Sequence, residues 1–195
     1  MASSEQIDKA VSILSKGGII IFPTDTVWGM GCRIDSSDSI NRLYKIRRRP
    51  DSQASPVLVS SIEQAKEYYQ KIPKEVEHLI NKYWPGGLTV VYEAKTDKIP
   101  GLVRANKNTI GLRMPNHQNL LQLIGMSKVP LLGPSANFHN FPTPMKFSEL
   151  DPELIRLVDY VLPGECLGNK ASTVIDVCVK PWKIIRRGAV EVVSY

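Results

Sequence analysis

Histidine is scarce: His78, His117 and His139 are the only three in 195 residues. None stands in an H-E-x-x-H pattern, and no G-x-S-x-G segment is present, so zinc hydrolysis and a serine nucleophile elbow both lack their parts. Cysteine is equally thin. Cys32, Cys166 and Cys178 are odd in number and widely spaced, which argues against a disulfide framework or a cysteine zinc cluster and fits a cytosolic compartment. Purely apolar runs extend only a few residues, against the roughly 20 that a membrane span needs. The opening "MASSEQIDKAVSILSKGG" carries charge throughout, where a secretory leader has an unbroken apolar stretch. The usual phosphate loops are also missing: there is no G-x-x-x-x-G-K-S/T, and "GMGCRI" lacks the third glycine of the dinucleotide fingerprint.

What is present is basic. Twenty-five Lys and Arg against 19 Asp and Glu leave a net charge of +6, with 43% hydrophobic and 23% charged residues, the balance of a soluble domain that favours acidic partners. Nucleotides and RNA both qualify. The charge is most crowded in "YKIRRRP", where Lys45, Arg47, Arg48 and Arg49 precede Pro50, an arrangement that calls for something anionic nearby.

Hydrophobic spacing predicts a first helix capped by Ser3 or Ser4 and ended by Gly17-Gly18, with Ile7, Ala10, Val11 and Leu14 on one face. A strand buried on both faces is expected over 18–22, then a loop, "PTDTVWGMGC". Helices are predicted over 37–47, 62–70, 74–82, 118–126 and 152–159, and strands over 56–60, 84–94, 109–115, 129–137, 172–177 and 183–195. Helices alternate with strands early and strands dominate late. The order predicts an α/β fold, a twisted, partly parallel mixed sheet with flanking helices, in one domain covering 1–195.

Polar residues recur at predicted strand ends, where α/β sheets bind ligands. "PTDTVWG" sets Thr24, Asp25 and Thr26 after the first strand, and by itself the segment is better accounted for by an Asx-type turn beside a packed tryptophan than by a ligand site. "GPSANFHNFPTP" places Ser135 and Asn137 in a proline-stiffened loop, where they suit either an oxyanion ligand or a turn. Arg113 in "GLRMP" and Arg186 in "IIRRG" interrupt apolar strands and need anionic partners, from an internal carboxylate or from a polyanion shared with the Arg47–Arg49 cluster. Ser172 and Thr173 head "STVIDV" and fit capping or binding.

Taken in order, "FPTDTVWGMGC", "RRRP", "YWPGGLTVV", "TIGLRMPNH", "GPSAN", "STVIDV" and "IIRRGAV" resemble the YrdC-like family, the threonylcarbamoyl-AMP synthases, over nearly the whole chain. The resemblance implies a twisted sheet around a basic concave cavity. It also implies condensation of L-threonine, bicarbonate and ATP to threonylcarbamoyl-adenylate and pyrophosphate, with Mg²⁺ carried by the nucleotide and no protein metal site. A downstream threonylcarbamoyl transferase complex would carry the product to tRNA, to which weak direct binding is also implied.

By position the family's Lys-x-Arg-Pro signature falls on Arg47, Arg48, Arg49 and Pro50, with arginine in the lysine place and Lys45-x-Arg47 as a second candidate register, and its Ser-x-Asn signature falls on Ser135 and Asn137. Those matches imply Arg47, Arg49, Ser135 and Asn137 as catalytic. They imply Arg49, Ser55, Thr109, Ser135, Asn137, Thr143 and Arg186 as ATP contacts, and Thr26, Ser60, Arg113, Gly133 and Ser172 as threonine contacts. Ser60 stands where the family has a histidine, after a "DSQAS" segment two residues longer than the pattern. The competing expectation is an RNA-binding module of the same type without adenylate synthesis, marked by steep salt dependence.

Overall fold

The computed structural model describes residues 2–192. Ser3 caps α1 (Ser4–Ser15) reciprocally with Gln6, at 3.3 and 2.8 Å, and the helix buries Ile7, Ala10 and Leu14. Full burial of each large aliphatic side chain contributes about 1.5–3 kcal/mol. β1 (Ile20–Phe22) follows and pairs antiparallel with β2 (Gly29–Gly31), so most of the expected loop is a hairpin connection and its far end a strand. β2 escapes a pattern reading because its only side chain is Met30. Its glycines have a reason: a Cβ at Gly31 would lie 1.9 Å from the Leu132 carbonyl.

Next come α2 (Ser37–Ile46), β3 (Val57–Leu58), α3 (Ile62–Tyr68), α4 (Lys74–Tyr83), β4 (Leu88–Glu93), β5 (Thr109–Arg113) and α5 (Gln118–Ser127). The chain continues through β6 (Leu131–Leu132), α6 (Pro152–Leu157), β7 (Tyr160–Val161), β8 (Thr173–Asp176) and β9 (Lys183–Arg186). The predicted helices all exist, near their expected limits. The strands are shorter than their apolar runs. β6 keeps two residues between Pro130 and Pro134, and prolines cannot donate to a ladder. β9 stops at Arg186; of the longer expected strand, 193–195 lie outside the described residues.

β2-β1-β7 form one sheet and β6-β3-β5-β4-β8-β9 the other, stitched by isolated bridges between Gly29 and Ser135 and between Arg33 and Leu131. Three pairings are parallel, β1 with β7, β3 with β5 and β4 with β8, and four are antiparallel. The fold is mixed α/β with a partly parallel sheet. Alternation distributes β1 between two cores: Ile20 and Phe22 join α1 and α5, while Ile19 and Ile21 face the larger cluster of α2, α4 and β4. Both faces are covered, which frees the ends of β3, β4 and β8 to form a polar surface.

The cation cluster is divided by the way α2 ends. Arg47 caps it, Arg48 NH bonds Lys45 O and Arg49 NH bonds Tyr44 O, both at 3.0 Å, with Arg48 left-handed at φ 53°. This is a Schellman closure, which ordinarily recruits glycine at the left-handed residue. It turns three consecutive arginines in different directions.

Candidate active site

The hairpin connection between β1 and β2 is held from within. Thr24 Oγ1 accepts the Thr26 and Val27 amides at 2.9 and 3.1 Å and donates to Val27 O at 2.8 Å. The Asx-turn expectation is thereby corrected: the hydroxyl of Thr24, and not Asp25, organises this loop. Thr24 is buried, so Thr24→Val strands two amides and a carbonyl. We expect a loss of about 1–3 kcal/mol in denaturant unfolding.

Asp25 is committed elsewhere. Its carboxylate takes Arg113 Nη2 in an ion pair whose side chains are 10% and 7% exposed. Arg113 also donates Nη1 to Thr26 Oγ1 at 2.8 Å and Nε to Gly86 O at 3.0 Å. Its pKa is lowered by burial, which Asp25 partly offsets. For Arg113 the internal carboxylate is therefore the partner. Three of the five N–H donors of a guanidinium are used in this way, and two remain for a ligand.

A hollow opens beside Arg113, and a second adjoins it. The first is lined by Thr26, Arg47, Arg49, Arg113, Gly133, Ser135, Ser172 and Arg186, together with Thr89 and Pro134. The second shares Arg49 and Arg186 and adds Ser55, Lys107 and Thr109 against an apolar wall of Val91, Val174 and Ile185. Among the described residues no carboxylate lines either. Gly133 sits against Leu58, where a Cβ would come within 2.4 Å of Cγ, so only glycine brings the backbone to this wall.

Burial depresses these guanidinium groups, and the charge of Arg49 adds to the effect at Arg47 and Arg186. Arg47 is lowered to about 10, by burial first and then by the charge of Arg49. Arg186 is likewise lowered by burial and then by Arg49, and Arg49 by burial. Arg49 donates to Gln53 O at 3.2 Å and Ala54 O at 2.6 Å, and Arg186 to Ser172 O and Oγ, both at 3.0 Å. Ser172 Oγ also lies 2.8 Å from Thr89 Oγ1. Thr89 was missed in the sequence; a lone buried hydroxyl within the apolar "LTVV" was the available signal.

The structure departs from expectation at several positions. Arg186 lies on an edge strand and is exposed along its stem, and only its guanidinium end is drawn in against Ser172 O and Oγ, so its partners here are a carbonyl and a hydroxyl and no internal carboxylate. Arg48 and Lys45 leave the cluster: Arg48 turns outward to Glu153 at 2.9 Å and over the Phe138 ring, and Lys45 is exposed. Ser60, Asn137 and Thr143 line neither hollow. Ser60 is held by the Gln64 side chain at the start of α3, at 2.8 and 3.2 Å. Thr143 lies in the loop whose Pro144 carbonyl accepts the Trp28 amide. Asn137 faces a separate hollow with Phe138, Phe141 and Glu149.

Comparison with known proteins places these features in a lineage. The Sua5_yciO_yrdC family model, described as telomere recombination, matches residues 12–188. The threonylcarbamoyl-AMP synthase of Pyrococcus abyssi is 30% identical over 180 residues, 92% of this chain and 53% of that protein. P. abyssi Sua5 complexed with L-threonine has a TM-score of 0.86 at 29% identity, covering 93% of this chain and 54% of that one. The uncharacterized YciO of Escherichia coli is 29% identical over 196 residues, 95% of this chain and 90% of that protein. Its crystal structure gives a TM-score of 0.83 at 26% identity, covering 97% and 92% of the two chains. The chain thus spans about half the length of the curated synthases that it matches first, at 53% of each. On the breadth of the family match and the agreement in fold, the chain belongs to the Sua5/YciO/YrdC family.

Proposed function

We propose that the chain condenses L-threonine, bicarbonate and ATP into threonylcarbamoyl-AMP, with release of pyrophosphate, for transfer by a partner enzyme to tRNA. The observation that carries this reading is the convergence of Arg47, Arg49 and Arg186 on hollows without a carboxylate. Guanidinium groups gathered close together, with Arg49 beside both Arg47 and Arg186, gain most from a shared polyanion. In this reading the triphosphate lies among them, and adenosine occupies the second hollow against Val91, Val174 and Ile185. Threonine occupies the floor made by Thr26, Arg113 and Ser172, where the two unused Arg113 donors take its carboxylate. That the P. abyssi relative is complexed with L-threonine supports threonine as a substrate in this reading.

The chemistry balances without a covalent enzyme intermediate. The threonine amine and bicarbonate give a carbamate and water; a carbamate oxygen then forms a bond to the α-phosphorus as the bond to pyrophosphate breaks. Developing negative charge falls on phosphate oxygens, where fixed guanidinium groups stabilise it. Holding three small reactants together supplies much of the rest through proximity. In this reading Mg²⁺ arrives with the nucleotide, as the family resemblance implies. Among the described residues no helix is long and apolar enough to cross a membrane.

Purified protein supplied with ATP, Mg²⁺, bicarbonate and threonine is expected to release pyrophosphate only when all are present. Replacing threonine by serine should lower kcat/KM by about 10- to 200-fold, the range that one methyl group supplies. Pyrophosphate release that ignores threonine, or none at all, defeats the proposal. RNA binding that collapses with salt and no adenylate product would favour the binding-module alternative.

A further inference from the structure

Asn137 makes five hydrogen bonds, all of them within the protein, the first from its own backbone amide to Ser135 O at 3.0 Å. Its backbone carbonyl accepts Arg47 Nε at 3.1 Å and its Oδ1 accepts Arg47 Nη2 at 3.3 Å. Its Nδ2 donates to Phe138 O at 3.0 Å and Phe141 O at 2.7 Å. Both donors of the amide are therefore used, and the residue is 9% exposed. Arg47, 3% exposed, lines the first hollow, and its Nη1 is buried with no partner. One end of the guanidinium is thus fixed and the other left with unmet donors. A buried donor without an acceptor is costly, and nothing else on the wall supplies one to it.

We propose that Asn137 is a positioning residue that touches no ligand, and that it locks the Arg47 fork so that the unpartnered Nη1 is left to meet an oxyanion bound at the first hollow. The proposal rests on the phosphate-binding half of the reading above and reverses the direct contact implied for Asn137 by resemblance. The geometry also gives arginine a use in the place where the family pattern has lysine. A single ammonium could not bond Asn137 twice through separate nitrogens and still keep a third one for the ligand. Phe138 and Phe141 belong to the same device, since their carbonyls fix the amide that fixes the arginine.

The test is a calorimetric titration with inorganic tripolyphosphate, which needs no turnover, on the parent, Arg47→Ala, Asn137→Ala and the double variant. Each single substitution is expected to weaken binding by about 10- to 100-fold, the range of a hydrogen bond to a charged group. The double variant should bind no more weakly than Arg47→Ala. Additive losses would show that Asn137 meets the anion itself, and unchanged binding in either single variant would equally overturn the proposal. If Asn137→Ala does not fold, Asn137→Ser replaces it in the cycle.

Nitrogen-15 arginine spectra give an independent readout. The parent should show resolved Arg47 Nη signals, identified by their loss in Arg47→Lys, because the fork cannot rotate. In Asn137→Ala they should merge by rotation about Cζ–Nε. Resolved signals persisting in that variant would refute the locking role. Because tripolyphosphate binding is independent of threonine, a protein that binds it as predicted but makes no adenylate would refute the enzymatic reading and leave this inference standing.

Discussion

Asp25→Ala is expected to lower the free energy of unfolding by about 3–5 kcal/mol, the usual consequence of leaving one member of a buried ion pair behind. Arg113 is 6% exposed, and its other bonds go to a hydroxyl and a backbone carbonyl, neither of which carries compensating charge. Guanidinium does not escape by deprotonation at neutral pH. Denaturant midpoints at constant m-value measure the loss. The double replacement Asp25→Leu with Arg113→Met removes both charges together, and such exchanges are often neutral or stabilising. That pair should therefore recover most of the stability while abolishing threonine-dependent turnover. Recovery of both would show that Arg113 is structural and that the amino acid binds elsewhere.

Arg49→Ala is expected to reduce kcat for pyrophosphate release by about 100- to 1,000-fold, the scale seen when one preorganised donor to a developing charge is removed. The fold should survive, because Arg49 is half-buried and its bonds to Gln53 O and Ala54 O close a local turn. Arg48→Ala is the control. Its guanidinium lies outside the hollows, against Glu153 and Phe138, so the rate should be unchanged. Equal losses in both variants would mean that bulk positive charge, and not position, governs the reaction.

Several helices were legible from their caps, such as Ser3 before α1 and Ser36 before α2, whose side chains take amides of their own first turns, while α4 and α5, which lack a side-chain cap, were legible from hydrophobic spacing alone. Short apolar, β-branched segments announced β1, β4 and β5. β2 and β7 were not legible: "GMG" and "YV" carry no alternation, and both are strands only because β1 offers two edges. The same division runs through the site. That Thr26, Arg47, Arg49, Arg113 and Arg186 gather around one space agrees with their places near the ends of elements. Side-chain direction is different in kind. Asp25 meets Arg113 across 88 positions and Asn137 meets Arg47 across 90, and neither pairing leaves a local trace. Ser60 shows the same limit, since Gln64, one helical turn on, holds it away from the hollows.

Arg48 at φ 53° has a bearing on which changes this protein tolerates. Had α2 simply continued, successive side chains would fan out at about 100° intervals, 3.6 to the turn, and Arg49 would sweep past its present wall. One backbone torsion therefore acts as the switchyard for three like charges. Exchanges among exterior cations such as Lys45 should pass unnoticed, whereas a single residue inserted or deleted between Tyr44 and Arg49 would derail the whole set at once.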